Sequence, residues 1–515
     1  MLQIAKNLPN TPLLLIAAAT ILAGCGKEPP PEPAATMLIQ DVIVVDGSGA
    51  PAFAADVRIA NGLISEVGDL DAGPEESIVD GGGMTLVPGF IDTHSHADRG
   101  LLELPNALVL TSQGITTVVV GQDGGSRVPL SDFFDRLIAQ GTAVNVASYV
   151  GHNTVREMVM GDDALRPATR DEVLAMARLV KEEMDEGALG LSTGLEYDPG
   201  IYSETGEVLD LAQVAADAGG RYISHVRSED RWFEEALAEI VQVGRVTGMP
   251  VQVSHFKLAM RRLWGKAGEI ITMLDEARAE GIDVTADLYP YTFWHSNLMV
   301  LLPERDYNDI EEINMMLREV TTPEGIRFTD FEAHPEYVGK TLAEVAILRN
   351  VDPAIAFQQL AAESDTLRQE GKGDYPGITG ESMIEEDIKA LLLWPHTNVS
   401  SDGGINYAHP RGAGTFTRIL GRYVREENLL SLEDAVHKMT GLAAAHMGFA
   451  DRGLVRPGMV ADLVLLDPET VIDTSTVADS QSLSKGIISV WVSGEQVYTP
   501  GQATGALPGK VIRRQ

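Results

Sequence analysis

The sequence predicts an α/β fold: a (β/α)8 TIM-like barrel carrying a small β-sandwich domain built from both termini. Three observations predict it. Eight apolar, β-branched runs are spaced through the middle of the 515-residue chain, with amphipathic segments between several of them. Short apolar strands punctuated by turns occur near both ends. Composition allows a large core, with 44% hydrophobic and 22% charged residues, and excludes wholesale disorder. Length alone suggests about three units of roughly 150 residues, but one barrel absorbs roughly 250 or more, so two domains are expected.

The first residues read as an export signal. Lys6 and the amino terminus are positive, Leu13 to Ala23 form an apolar run, and LAGC ends on Cys25, the single cysteine. The run is about half the roughly 20 residues a membrane-spanning helix needs. LAGC resembles a bacterial lipobox, which implies a signal peptide over 1–24 and acylation of Cys25; an ordinary secretory signal with an incidental cysteine is the alternative. Gly26 stands where Asp marks inner-membrane retention, so an outer-membrane anchor facing the periplasm is expected. The Pro-rich stretch over 25–36 reads as an extended tether. One cysteine also excludes a disulfide framework and Cys/Cys zinc sites.

Next come LIQDVIVV, DVRIA, the hairpin signal Asn61-Gly62 and LISEVG, and similar strands return in ADLVLLD and IISVWVSGEQVY. Segments 37–86 and 453–505 are therefore assigned to one small β domain; two unrelated extensions are the alternative. Between them, 87–452 carries the runs LVPGFID, ITTVVVG, VNVASYVG, GALGLST, RYISHV, PVQVSHF, GIDVTADLY and HTNVSSD. An interval of about 105 residues between Tyr291 and His396 breaks the rhythm. It reads as a helical insertion over about 298–394, covering the barrel mouth. Acidic residues outnumber basic ones 75 to 39, a formal charge of −36, which repels a phosphate backbone and excludes nucleic acid as a partner.

In such barrels the active site lies at the C-terminal ends of the strands. There the ligand-type residues fall: His94 and His96 after the first run, Asp123 after the second, and His152 after the third. His225 follows the fifth, His255 and Lys257 the sixth, Tyr289 and Tyr291 the seventh, and Asp402 the eighth. Convergence on one site explains that register better than packing or solvation does. In His94-Ser95-His96, alternate strand residues face one way, so both imidazoles can share a metal. Imidazole and carboxylate donors suit zinc. Lys257 should project from the same face as His255, and Arg411 in HPRG can clamp a carboxylate with two hydrogen bonds. A surface lysine and a structural arginine are the bland readings.

VPGFIDTHSH, GITTVVVG, GALGLSTGLEYDPG, ISHVR, VSHFK, SSDGG, HPRG and PGMVADLVLLDP resemble the amidohydrolase superfamily, and within it the N-acyl-D-amino-acid deacylase (D-aminoacylase) branch, from about Leu38 to Tyr498. The resemblance implies zinc, one or two ions, with His94, His96 and Asp402 at one site and His225 and His255 at the other. Family members often bridge the metals with a cysteine from NCG. This chain has QDGG, so Asp123 takes that place, either as an anionic bridge or as a turn residue. A carboxylate also admits harder metals. The resemblance assigns substrate-carboxylate binding to Lys257, Arg411 and a tyrosine, Tyr289 or Tyr291.

The expected reaction is amide hydrolysis by metal-activated water, with Asp402 as general base; in the alternative, Asp402 only ligates. The substrate expected is a small N-acyl amino acid, of D configuration. His152 is read as substrate-facing or supporting the ligands, or as structural. Ser192 and Thr193 are expected to shape the pocket, and Glu196 is left open. Three rival readings stand beside this one. A dipeptidase acting on D-residue cell-wall peptides would use the same clamp. A hydantoinase or dihydropyrimidinase typically needs a lysine at the fourth strand's end, which GALGLSTGLEY lacks. A non-catalytic lipoprotein predicts degraded ligand positions.

Overall fold

The computed structural model describes residues 36–514. The proposed signal peptide, Cys25 and nearly all of the tether lie outside the described residues.

Eight parallel strands follow one another around a ring in chain order: β1 (Phe90–Asp92), β2 (Ile115–Val120), β3 (Asn145–Ser148, resumed at Val150–Gly151), β4 (Gly190–Gly194), β5 (Arg221–His225), β6 (Val251–Val253), β7 (Val284–Leu288) and β8 (Thr397–Val399). Neighbours pair in parallel from β1 to β8. Just beyond the paired strands, Ser95 bridges Gly403, Asp402 N–H donates to His94 O (2.9 Å), and His96 N–H donates to Gly403 O (2.7 Å). These contacts join β8 back to β1 and close the barrel. The joint also carries the first and last metal-ligand candidates. ITTVVV in β2 is buried throughout, as expected of a parallel strand covered on both faces. Among the return helices, Arg170–Asp185 starts at a capping box in which Thr169 and Glu172 satisfy each other's backbone N–H.

LVPGFID is not one strand. Thr85–Pro88 pairs with Leu463–Leu466 in the small domain, and the barrel begins at Phe90. Gly89 makes the handover, since a Cβ there would lie 2.1 Å from Thr116 Oγ1. The small domain's nine strands hydrogen-bond as one continuous sheet that branches at Thr36–Val44, which pairs with Phe53–Ala60, Ser77–Asp80 and Thr85–Pro88. Ile39, Val44, Val57, Ile59, Leu463 and Trp491 form its own core. Val87, Val464, Val490 and Tyr498 instead join the barrel core, so the small sheet is packed onto the barrel and not tethered beside it.

The insertion is not purely helical. Phe293–Asn297, Ile326–Asp330 and Gly377–Glu381 form a three-stranded antiparallel sheet, together with helices Ile310–Glu319, Leu342–Arg349 and Pro353–Gln369. Its strands are only five residues long, too short for their alternation to stand out from flanking helical periods. Glu385–Leu393 packs on β8 and on Ala267–Ala279, so it is a barrel helix and not part of the insertion.

Candidate metal centre and substrate pocket

The C-terminal strand ends bring two donor groups together. His94, His96, Asp123 and Asp402 each offer an atom within 4.8 Å of the others', and so do Asp123, His225 and His255. Asp123 belongs to both. Its Oδ1 lies 3.3 Å from His94 Nε2 and 3.3 Å from His255 Nε2, while Oδ2 lies 3.2 Å from His96 Nε2. Asp402 Oδ1 lies 3.2 Å from His96 Nε2. His225 Nδ1 and His255 Nε2 face each other at 2.9 Å.

This donor set fits a divalent metal. Among the described residues, His94 Nδ1, His94 Nε2 and Asp123 Oδ1 are buried with no hydrogen-bond partner, a cost that a cation would reduce. Burial would lower the His94 pKa, yet Asp123 and Asp287 hold it well above its ordinary value. For His255, burial and Lys257 lower the pKa, but Glu229, Asp402 and Asp123 carry it up to about 9. The field that holds protons on these rings is one in which a metal would displace them. Asp123, His255 and Asp402 all have positive φ, at +53°, +34° and +44°. Such backbone costs roughly 1–3 kcal/mol per residue and persists where the surroundings impose it.

Neighbouring carboxylates orient the rings. Glu196 Oε2 is 2.9 Å from His225 Nε2, and Glu229 Oε1 is 2.9 Å from His255 Nδ1. Asp287 Oδ1 accepts from His255 N–H (2.8 Å) and Ser400 Oγ (2.6 Å) and lies 3.7 Å from His94 Nδ1. A carboxylate on the far ring nitrogen fixes the tautomer and raises ligand basicity. The Asp123 loop is held from β4: Ser192 Oγ donates to Gly121 O at 2.5 Å and accepts from Gly124 N–H at 3.3 Å.

One cleft adjoins the cluster, lined by Glu196, His225, His255 and Asp402 together with Lys257, Tyr289 and Arg411. Arg411 is buried, with Nη1 2.8 Å from Asp402 Oδ2 and Nη2 donating to Tyr407 Oη at 3.1 Å. Its guanidinium lies over the Tyr289 ring at 4.5 Å. Burial would raise the Asp402 pKa, but Arg411 and His255 hold it well below the carboxylate range, so it is ionised. Lys257 Nζ sits 2.6 Å from Glu229 Oε1 and 2.7 Å from His255 Nδ1. Among the described residues, Tyr289 Oη and Arg411 Nε are buried without hydrogen-bond partners.

Several expected pocket residues lie outside the cleft. His152 begins the helix His152–Met160 and is fully buried, its Nε2 2.8 Å from Glu207, which also takes Arg156 Nη1 at 2.6 Å. It braces a buried ion pair and does not line the cleft. Tyr291 packs under Arg418, its hydroxyl 3.5 Å from Pro410 O, because the chain turns through Pro290 after β7. Thr193 also misses the cleft, bonding Tyr222 and Ser224 inside the barrel.

Sequence reasoning passed over Glu229, Asp287, Tyr407 and Trp294. For Asp287 a signal existed: it shares a strand face with Tyr289, two residues on. Glu229 sits four residues past His225 in a loop, where spacing says nothing about direction.

Known proteins share both fold and length. A sequence profile of the amidohydrolase family matches residues 77–392 and 387–498. An N-acyl-D-glutamate deacylase of Alcaligenes xylosoxydans xylosoxydans is 38% identical over 93% of this chain and 96% of its own. A D-aminoacylase of the same organism is 34% identical over 93% and 97%. The crystal structure of N-acyl-D-glutamate deacylase from Bordetella bronchiseptica, complexed with zinc and a phosphonate inhibitor, superposes with a TM-score of 0.83 at 35% identity, covering 94% of this chain and all of that one. With its barrel, its donor cluster and this similarity along nearly its whole length, the chain belongs to the amidohydrolase family and to its D-aminoacylase branch.

Proposed function

We propose that the chain is a metal-dependent hydrolase that removes the acyl group from N-acyl-D-amino acids. The observation that carries this reading is the place of Arg411, 2.8 Å from Asp402 at the edge of the donor cluster. In an N-acyl amino acid the α-carboxylate and the amide nitrogen share one carbon. A carboxylate held by Arg411 and Lys257 therefore sets the amide over the cluster. The D configuration is supported by the relatives, whose names specify D-substrates.

A zinc-like ion held by His94, His96, Asp123, His225, His255 and Asp402 would polarise the acyl carbonyl and make hydroxide available near neutral pH. Asp402, kept ionised by Arg411, accepts the proton of the attacking water and returns it to the departing nitrogen. Glu196, Glu229 and Asp287 keep the imidazoles in the ligating tautomer and orientation. Arg411 and Lys257 bind the α-carboxylate, and the unpaired Tyr289 hydroxyl is free to donate to it.

We also propose export and acylation at Cys25, supported by Lys6, the apolar run and LAGC; palmitate labelling that survives Cys25→Ser would refute it. The activity is tested by amine release from matched N-acetyl-D- and N-acetyl-L-amino acids. Turnover of the D series, abolished by a chelator and restored by zinc, is the expected result. Cleavage confined to D-containing dipeptides would move the function to peptidase, and turnover of the L series alone would overturn the stereochemistry.

A further inference from the structure

Resting on the function proposed above, we infer that the cleft receives an N-acyl amino acid with a neutral, apolar side chain and rejects those derived from glutamate or aspartate. An α-carboxylate occupies the clamp in every such substrate, so an acidic side chain needs a second cation. Among the residues that line the cleft, the cations are Lys257 and Arg411. Each already faces a carboxylate, Glu229 at 2.6 Å and Asp402 at 2.8 Å. His295 also lines the cleft, but its Nε2 is already taken up by Thr329 Oγ1 at 3.0 Å, and burial and Arg411 push its pKa down to about 4.

Two arginines next to lining residues or bonded to them are committed. Arg231 pairs with Asp230 (2.5 Å) and Glu312 (2.7 Å). Arg305 pairs with Asp198 (3.1 Å) and donates to the carbonyls of Glu196 and Leu302. The rest of the wall is mostly apolar, with Ala259, Trp294, Val300, Leu301 and Val320, and its remaining polar residues, Tyr197 and Ser296, carry neutral hydroxyls. Glu196, Glu229 and Asp230 also line this space, offering hydrogen-bond acceptors and no donor to a second carboxylate. A second substrate carboxylate would meet a largely apolar wall and three carboxylates, with no cation of its own, whereas a leucine-like side chain would displace water from that wall.

The test compares kcat/KM of the zinc-reconstituted full chain for the N-acetyl derivatives of D-leucine, D-methionine and D-phenylalanine with those of D-glutamate and D-aspartate. Neutral substrates should lead by roughly 100-fold or more, since like-charge contacts in a buried site are strongly disfavoured. Equal or better turnover of the acidic pair overturns the inference and leaves the deacylase reading standing, with Lys257 then the side-chain partner. Silence with every substrate overturns the deacylase reading itself. Val300 is half-buried at the cleft, so Val300→Lys can place an ammonium there and should raise the glutamate-to-leucine ratio about tenfold. An unchanged ratio in a variant that still turns over N-acetyl-D-leucine would mean the wall faces the acyl group, overturning the side-chain assignment.

Discussion

Gly194, at the end of β4, is where a single methyl group should disable the centre without touching a ligand. A Cβ there would lie 2.1 Å from the carbonyl oxygen of Asp123, 2.7 Å from its carbonyl carbon and 3.1 Å from Tyr197 Cδ2. Both obstructing atoms nearest to it are backbone, so no side chain can swing aside. The loop must retreat by about 0.9 Å before the closest contact reaches 3.0 Å. That retreat carries Asp123 away from His94, His96 and His255, which it now approaches at 3.2–3.3 Å. Displacements of about 1 Å at a reacting centre cost on the order of 100-fold in rate, and disturbed ligand support costs roughly 10–100-fold in metal affinity. Gly194→Ala should therefore lower kcat/KM by about 100-fold and weaken zinc binding, measured by competition with a chromophoric chelator, while the protein stays folded. Gly206→Ala is the control: nothing lies within 4 Å of a Cβ there, and the position is helical, so it should keep full activity and gain a few tenths of a kcal/mol. Unchanged metal affinity and rate in Gly194→Ala would refute the placement of Asp123 as a shared ligand and return it to a turn residue.

Lys257→Met removes one charge-assisted contact to the substrate carboxylate, worth roughly 1.5–3 kcal/mol, so KM should rise about 10–100-fold with a smaller fall in kcat; an unchanged KM would leave Lys257 as no more than the partner of Glu229. His152→Gln should lower unfolding stability by roughly 1–3 kcal/mol through its buried bond to Glu207 and leave kcat/KM of the folded enzyme intact, whereas a KM effect at unchanged stability would put His152 back in the pocket. His446 is kept neutral by burial, which lowers its pKa from 6.5 to about 3. The unfolded chain then binds that proton more tightly, so the stability it contributes is whole above about pH 6.5 and declines as pH falls toward 3, by roughly 2 kcal/mol near pH 5. Denaturant titrations of metal-free wild type and His446→Leu should diverge over that interval, and parallel curves would exclude His446 as the cause.

Much of this site was legible because barrel geometry makes position along the chain equivalent to position in space. His94, His96, His225, His255 and Asp402 each follow an apolar run directly, and strand ends of a parallel barrel all open on one rim. His152 obeyed the same register and still failed as a pocket residue, because the chain enters a helix at that residue and turns the ring toward Glu207. Glu229 and Glu196 were hidden for the opposite reason. They sit in loops, and only the fold brings them to the far nitrogens of His255 and His225. The insertion's wall residues are separated from the ligands by long stretches of chain, and their five-residue strands carry too little periodicity to read. Strand patterns at both ends of the chain did mark one sheet, yet not that Val87 and Pro88 belong to it, since LVPGFID shows no change of period at Gly89.

The central claim is that turnover depends on a cation held by the cluster that Asp123 joins. It is tested most directly by titrating metal-free protein with zinc while following hydrolysis of an N-acetyl-D-amino acid, in wild type and in Asp123→Ala. Activity should start near zero and rise to a plateau as the site fills in wild type, with the curve for Asp123→Ala shifted to higher free zinc and lower rate. Full turnover by the metal-free protein, or superimposable curves for the two proteins, would contradict it.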